Sequence, residues 1–493
     1  MNNKISFLER IKLLIRNYLI SAAKRLGEEK PKGPAIRNAK NLLSKEIKIP
    51  RAFSAVAAAL MMSFMLSTHF GLGYKAILSV IIFMCGIIYF FLIQTKGKEK
   101  EIFTDNDAVV LICLLFTIAL FILQLSEKYL NTMAFPVSAF VVMSAMLLSF
   151  RIGFLYALIL SLFAAFIGGM CFELFFVMLC GSIAAMSGVK KIRKRSDFTS
   201  VFLRVAIVNI IVITMFFLLN VYGVQAYQRN LFYAILNAIF AVILILAMMP
   251  FFETFFSRTT SIKLIELADF NNPLLKRLML EAPGTYHHSL MTAAIAEKAA
   301  DAIGANSLLA RVGAYYHDIG KLTAPEYFIE NQGSNANPHD PLTPTMSSLI
   351  LVSHIKDGVA LAKKYNLDKS IIDSIEQHHG TTTIHFFYHK ALELKKDTRM
   401  ENFRYPGPKP RTKVAAIIMI ADSSEAACRA LDDPTAVRIK ETVEKIINNK
   451  FTDAQFSECP ITLKDLQAIG DSIISSLIGI HHARIEYKET ESR

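Results

Sequence analysis

The sequence predicts an all-α protein in two parts, a polytopic helical membrane domain followed by an all-α soluble domain. Three observations carry this. From about Phe53 to Phe255 the chain is a succession of apolar runs, and from Ser257 onward it reads as ordinary soluble protein. The soluble half has apolar residues at helical spacing and little of the alternation that marks strands. Eleven of the twelve histidines lie between His287 and His482, three pairs among them, which is the clustering a polynuclear metal site needs.

The chain has 493 residues, 53% of them hydrophobic, with 36 Phe and no Trp. That length accommodates two or three domains. The divisions expected are a basic cytosolic tail at 1–51, a membrane domain of about eight helices at 52–255, a linker at 256–285 and a soluble domain at 286–493. The net charge of +13 is unevenly spread: residues 1–51 carry 13 Lys/Arg against 4 Asp/Glu, and Lys190, Lys191, Arg193, Lys194 and Arg195 form a second cluster. Both flank apolar runs, so the charge reads as a topology signal and not as a nucleic-acid surface. Of the six cysteines, Cys85, Cys113, Cys171 and Cys180 lie in apolar runs, and no CxxC spacing suggests a zinc knuckle or disulfide framework. About fifty polar, basic residues precede the first apolar run, which is not the pattern of a signal peptide.

Taken in order, Ile5 to Leu26 is a weakly amphipathic basic segment suited to anionic headgroups. Eight apolar runs follow, at about 53–70, 73–94, 107–125, 132–150, 153–169, 171–189, 201–221 and 231–254. A bilayer core takes about 20 residues per helix. With eight spans, the basic tail, Lys96, Lys98, Lys100, Arg151, the 190–195 cluster and the soluble domain share one side, which is then the cytosol. Polar residues within the runs are few: His69, Glu173, Arg204, Asn209, Asn220 and Asn237. They lack the paired charges of an ion-coupled pathway, so transport is the weakest functional reading.

A linker is expected from Ser257 to Asp269, then a helix opening at Asn272-Pro273 and ending at Pro283-Gly284. From Tyr286, Met291, Ala294, Ile295, Ala299 and Ala302 form one helical face. Gly304 stops that helix, and Asn306 caps the next, which ends at His317-Asp318 and Gly320. After a Pro- and Asn-rich loop at 324–344, helices are expected near 346–365, 369–379, 384–397, 411–430, 434–450 and 462–480.

Seven residues of this half could make one site: His288, His317, Asp318, His354, His378, His379 and Asp422. Asp422 lies on an otherwise apolar helix, where a carboxylate needs a partner or a metal. Five imidazoles and two carboxylates exceed what one ion takes and suit two, with Asp318 as the bridge. Imidazole-rich, thiol-free sites favour iron, manganese or another transition metal over magnesium or calcium. Two ions about 3.5–4 Å apart can activate a nucleophile and hold both ends of a phosphodiester displacement. Lys321, one turn past the bridging aspartate, is a natural phosphate partner; the alternative is a helix-end cation on the dipole. His339 is a candidate substrate contact. His287, His385, His389, His481 and His482 read as packed or exposed histidines.

The order His288…His317-Asp318…Asp422 resembles the H…HD…D signature of HD-domain metal phosphohydrolases. The segments EAPGTYHHSL (281–290), RVGAYYHDIGK (311–321), NPHD (337–340), SHIKDG (353–358), QHHGTT (377–382) and FRYPGPKP (403–410) resemble the seven-transmembrane HD proteins of the PgpH type. The resemblance covers about 72–490. It implies an HD phosphohydrolase domain, a cytosolic active site, a di-iron or manganese-supported centre held by the seven residues above, and hydrolysis of cyclic di-AMP to pApA. The first ligand of HD domains directly precedes Ser-Leu, which selects His288 over His287. The chain departs from the family in one respect. The first apolar run meets the second at Gly71-Leu72, where the family usually inserts a large extracellular domain.

The expectation is a multi-pass membrane phosphodiesterase with its N-terminus and HD domain in the cytoplasm. Its partners would be a cyclic dinucleotide and the lipid bilayer, with no nucleic acid and with room for a homodimer. The alternatives are an HD hydrolase for another cyclic dinucleotide or nucleotide, and a non-catalytic nucleotide sensor. A Gly-Tyr-Pro signature after the His-His pair is missing, which disfavours cyclic di-GMP, and a sensor would not require seven metal ligands.

Overall fold

The computed structural model describes residues 105–481 apart from 190, 191, 193, 333–336 and 395–397. The segment Ile5–Leu26, the apolar runs at 53–70 and 73–94, His69 and the Gly71-Leu72 junction lie outside the described residues. The chain divides into two compact units, Met1–Thr260 and Ser261–Arg493.

The described part of the first unit holds six α-helices: α1 Asn106–Tyr129, α2 Val137–Leu147, α3 Phe150–Ile167, α4 Phe172–Met186, α5 Phe198–Leu218 and α6 Val224–Phe256. Helices α1, α3 and α6, and α5 with its preceding 3-10 turn, are long and apolar enough to cross a membrane. The apolar runs at 132–150 and 171–189 differ from expectation. They give helices of only 11 and 15 residues, about 17 and 23 Å at 1.5 Å per residue, against a core of about 30 Å. The cause at α2 is Pro136, which has no amide hydrogen and follows a 3-10 turn at Thr132–Ala134. Breaking a helix among apolar side chains leaves carbonyls that need donors. Asn237, buried on α6, supplies them: its amide donates to the Met133 carbonyl at 3.2 Å and to that of Phe135. A polar residue inside an apolar run thus secures a helix break.

The second unit is all helical, with one isolated bridge between Thr383 and Arg404 among the described residues. Its helices are α7 Ser261–Leu267, α8 Pro273–Glu281, α9 Pro283–Ala302, α10 Ser307–Tyr316, α11 Pro344–Lys364, α12 Lys369–Gln377, α13 His385–Leu394, α14 Lys413–Arg429, α15 Ala436–Thr452 and α16 Leu463–His481. Two corrections follow. The expected linker contains α7, whose Leu264 and Leu267 are buried in the core. And α9 begins at Pro283, with proline in its first turn. Its buried face is Thr292, Ala293, Ile295, Ala296, Ala299 and Ala300; Ala294 and Ala302 are exposed.

Helix α10 organises this unit because it serves two cores. Ala310 and Ala314 pack with α9, α14, α15 and α16. Leu308, Val312 and Tyr316 pack with α7, α8, α11 and α12. A helix held on both sides has its C-terminal end fixed, and that end carries His317-Asp318. Gly320 then lets the chain pass directly under α11, since a Cβ there would lie 1.8 Å from the His354 carbonyl oxygen. A smaller apolar cluster of Ile384, Phe387, Ala391 and Phe403 seats α13 beside Leu351 and Val352 of α11.

Both large cores are built from residues from Leu264 onward. A fragment spanning 257–493 is therefore expected to fold and unfold cooperatively without the membrane helices. A non-cooperative thermal transition in that fragment, with helical circular dichroism below that of the corresponding residues, would contradict this.

Candidate metal centre

Local structure places each expected ligand. Three histidines turn an Nδ1 to the carbonyl three residues back, two at helix ends and one in mid-helix: His317 to Ala314 at 2.7 Å, His378 to Ile375 at 2.8 Å, and His354, in the middle of α11, to Leu351. A carbonyl only accepts, so each Nδ1 carries a proton, and in the neutral ring each Nε2 presents its lone pair. These Nε2 atoms converge on one carboxylate. Asp318 Oδ1 lies 3.5 Å from His354 Nε2 and 3.6 Å from His378 Nε2, and Oδ2 lies 3.3 Å from His317 Nε2. His288, on α9, enters from the other side, with its Nε2 3.0 Å from Asp422 Oδ1 and 3.8 Å from Asp318 Oδ2. His379 Nδ1 is 3.8 Å from Asp422 Oδ2.

The seven residues fall into two groups whose ligand atoms lie within 4.8 Å of one another: His288, His317, Asp318 and Asp422, and Asp318, His354, His378 and His379. Asp318 is common to both. All seven are buried except His379, which is half-buried. The donor set fits divalent cations on an observation independent of any relative: His317 Nε2 and Asp318 Oδ1 are buried with no hydrogen-bond partner among the described residues. Polar atoms in that condition are costly unless something binds them.

The electrostatics agree with a site built for positive charge. Burial opposes the Asp318 charge, but His317 and Lys321 outweigh it and hold the carboxyl well below the usual range. Burial likewise opposes the Asp422 charge, and the hydrogen bond from His288 with the nearby His317 imidazole overcomes it. Burial would also discharge His317, yet Asp318 and Asp422 lift it to about 10. For His354 burial wins over Asp318 and lowers it to about 4.

Several residues around the ligands were not anticipated. Glu425, one turn after Asp422 on α14, holds His288 Nδ1 and so fixes which nitrogen faces the centre. A second acid three residues past the first on an apolar helix was a signal that could have found it. Tyr405 stacks on His379 with ring centroids 4.2 Å apart. Glu330, from a loop without periodicity, gave no signal; it pairs with Lys321 at 2.6 Å. Lys321 also lies 2.8 Å from Asp318 Oδ2. It is held between two carboxylates. His339 belongs to neither group. Its Nε2 meets the Tyr327 carbonyl at 2.9 Å and its ring lies against Phe387, leaving Nδ1 buried without a partner among the described residues.

Both units match known families. Residues 74–260 match a family model described as a 7TM receptor with intracellular HD hydrolase, and residues 285–427 match an HD domain. The chain is 37% identical over 426 residues to the cyclic-di-AMP phosphodiesterase PgpH of Bacillus subtilis (strain 168), covering 84% of this chain and 59% of that protein. It is 39% identical over 405 residues to that of Listeria monocytogenes serotype 1/2a (strain 10403S), covering 80% and 56%. The chain thus spans less than two thirds of these relatives. A crystal structure of the L. monocytogenes PgpH HD domain in complex with cyclic-di-AMP is 51% identical, covering 43% of this chain and all of that one, with a TM-score of 0.42. The chain is a membrane protein whose residues 74–260 match the family of 7TM receptors with an intracellular HD hydrolase and whose residues 285–427 match an HD domain, with the PgpH proteins among its relatives.

Proposed function

We propose that the protein is a membrane-anchored, metal-dependent phosphodiesterase that hydrolyses cyclic di-AMP to pApA. The observation that carries the reading is the position of Asp318, one carboxylate shared by two four-residue groups of donors. The names of the PgpH relatives supply the substrate class.

In this reading His288, His317, Asp318 and Asp422 hold one divalent ion, and Asp318, His354, His378 and His379 hold the other. The imidazole-rich, thiol-free set suits iron or manganese. Such a pair, when bound, supplies the nucleophile and stabilises charge on the phosphoryl oxygens. The chain's own residues do the rest. Backbone carbonyls orient His317, His354 and His378, and Glu425 orients His288. Glu330 anchors Lys321, which holds Asp318 in place and adds fixed positive charge to the wall of the site. His339 can offer a substrate only its Nδ1, since Nε2 is engaged. Charge asymmetry around the apolar runs puts this domain and the N-terminus in the cytoplasm.

Three outcomes are expected. Purified protein supplied with manganese converts cyclic di-AMP to pApA faster than it converts cyclic di-GMP; equal or reversed rates would move the assignment to another HD hydrolase. Asp318→Ala removes a negative charge that two cations share. It should lose at least one ion per chain and about 10³-fold or more in turnover, while His354→Ala loses less metal because water can replace one neutral ligand. Metal content per chain read beside turnover decides this, and an Asp318→Ala protein that keeps two ions removes the bridging role. Finally, reporters joined before Lys4 and after Arg493 should both be cytosolic; opposite sides would mean an odd number of crossings.

A further inference from the structure

Four of the five imidazoles in the ligand cluster are aimed by a hydrogen bond on one ring nitrogen. Backbone carbonyls hold His317, His354 and His378, and Glu425 holds His288. His379 is the exception. Its ring nitrogens make no hydrogen bond among the described residues, and Asp422 Oδ2, 3.8 Å from Nδ1, is beyond that reach. Its side chain is also the most exposed of the five, at 20%. A ligating imidazole ordinarily owes its orientation to a hydrogen bond on its second nitrogen. The orientation of this one has to come from packing.

Three rings lie beside His379. His354 meets it edge-on, at 5.3 Å and 88°, and His378 is tilted by 44° at 4.0 Å. Both belong to the same donor group, so neither is an independent support. The third is Tyr405, nearly parallel to His379 at 23° with centroids 4.2 Å apart. A flat contact opposes rotation of the imidazole about its Cβ–Cγ bond, the freedom that a hydrogen bond would otherwise remove. No hydrogen bond engages the Tyr405 hydroxyl among the described residues, so the ring alone makes this contact.

Tyr405 can give firm support because its backbone is tied to the turn that carries His379. Phe403, 1% exposed, anchors the segment in the small apolar cluster with Ile384, Phe387 and Ala391. From there the chain runs antiparallel to 382–384: the Ile384 amide donates to the Phe403 carbonyl at 2.8 Å and the Tyr405 amide to the Thr382 carbonyl at 3.0 Å. Arg404 donates to the Thr381 carbonyl at 2.7 Å and pairs with Asp453 at 2.8 Å. Gln455 accepts from the Thr381 amide at 2.9 Å, and farther along the strap the Arg411 amide donates to Gln377 Oε1 at 2.9 Å. Successive side chains of an extended segment point to opposite sides. Arg404 takes the side of Asp453, and Tyr405 takes the side of His379.

We propose that Tyr405 is a positioning residue: its ring, laid flat on the His379 imidazole, gives that ligand the aim that hydrogen bonds give the other four. That His379 is a metal ligand rests on the two-ion reading above; the contact itself does not. The strap 403–411 is then a part of the metal centre although none of its residues belongs to the ligand set.

The test titrates manganese into the metal-free, full-length protein in detergent and reads the affinity of each ion by electron paramagnetic resonance. The variants are Tyr405→Leu, Tyr405→Phe, His379→Ala and the double variant Tyr405→Leu with His379→Ala. Tyr405→Leu should weaken one of the two ions about threefold to tenfold, the range an aromatic pair supplies, and leave the other unchanged. Tyr405→Phe keeps the ring and should bind as wild type does. In the His379→Ala background Tyr405→Leu should cost nothing further, because the residue through which it acts is gone. Wild-type affinity for both ions in Tyr405→Leu would overturn the proposal. So would an equal further loss in the His379→Ala background, which marks general support of the fold, or a Tyr405→Phe protein as weak as Tyr405→Leu, which assigns the effect to the hydroxyl. If His379→Ala binds manganese as wild type does, the assignment of His379 as a ligand fails and the proposal falls with it. An ion that depends on His379 but ignores Tyr405→Leu overturns the proposal alone. None of these readings requires a substrate.

Discussion

Asp318 is a carboxylate with 1% of its surface exposed, and the second unit is arranged around the need to compensate it. Its two oxygens face different histidines, and a lysine lies on one of them. A buried charge is tolerated only when it is paired or coordinates a metal. That requirement explains why residues from α9, α10, α11, α12 and α14 meet at one point. It also explains why the positions nearest Asp318 are filled by imidazoles, which can bind cations or carry charge themselves.

The helices bring these groups together through their ends more than their faces. Helix α10 is wedged between two apolar cores, so its last turn cannot shift without disturbing both. The turn after it passes under α11 at Gly320, and the turn after α12 is held by Gln455 from beyond α15. The centre therefore draws on contacts distant in sequence: Glu425 reaches His288 across 137 residues and Gln455 reaches Thr381 across 74. Rigid surroundings of this kind are what keep several donors aimed at a common point.

Much of this was legible in the sequence. The helical class follows from periodicity, and the His-Asp pair, the histidine clustering and Asp422 on an apolar helix mark the ligand cluster that the fold assembles. What was not legible has physical reasons. Helix α7 has seven residues, too few to show a period. The face of α9 was misassigned because that helix packs against α10 on one side and α14 and α16 on another, so its buried surface is wider than a single stripe and leaves Ala294 outside. Pro136 interrupts an apolar run that hydropathy alone reads as continuous, and the amide that makes the interruption tolerable lies about a hundred residues away, at Asn237. Glu330, Arg404 and Gln455 sit in segments without periodicity, and their importance appears only when their distant partners are in place.

The bonds from His317, His354 and His378 to carbonyls three residues back have a bearing on proton traffic. An imidazole relays a proton when one nitrogen can take it up while the other gives one away. Here one nitrogen of each ring is tied to an acceptor that never releases its hold, and the other points into the ligand cluster. In their neutral form these rings are consequently fixed in one tautomer by the backbone, which blocks relay of a proton from one ring nitrogen to the other. In the proposed reaction, with cations on the Nε2 atoms, the departing alkoxide would then take its proton from solvent or from a group outside these three rings.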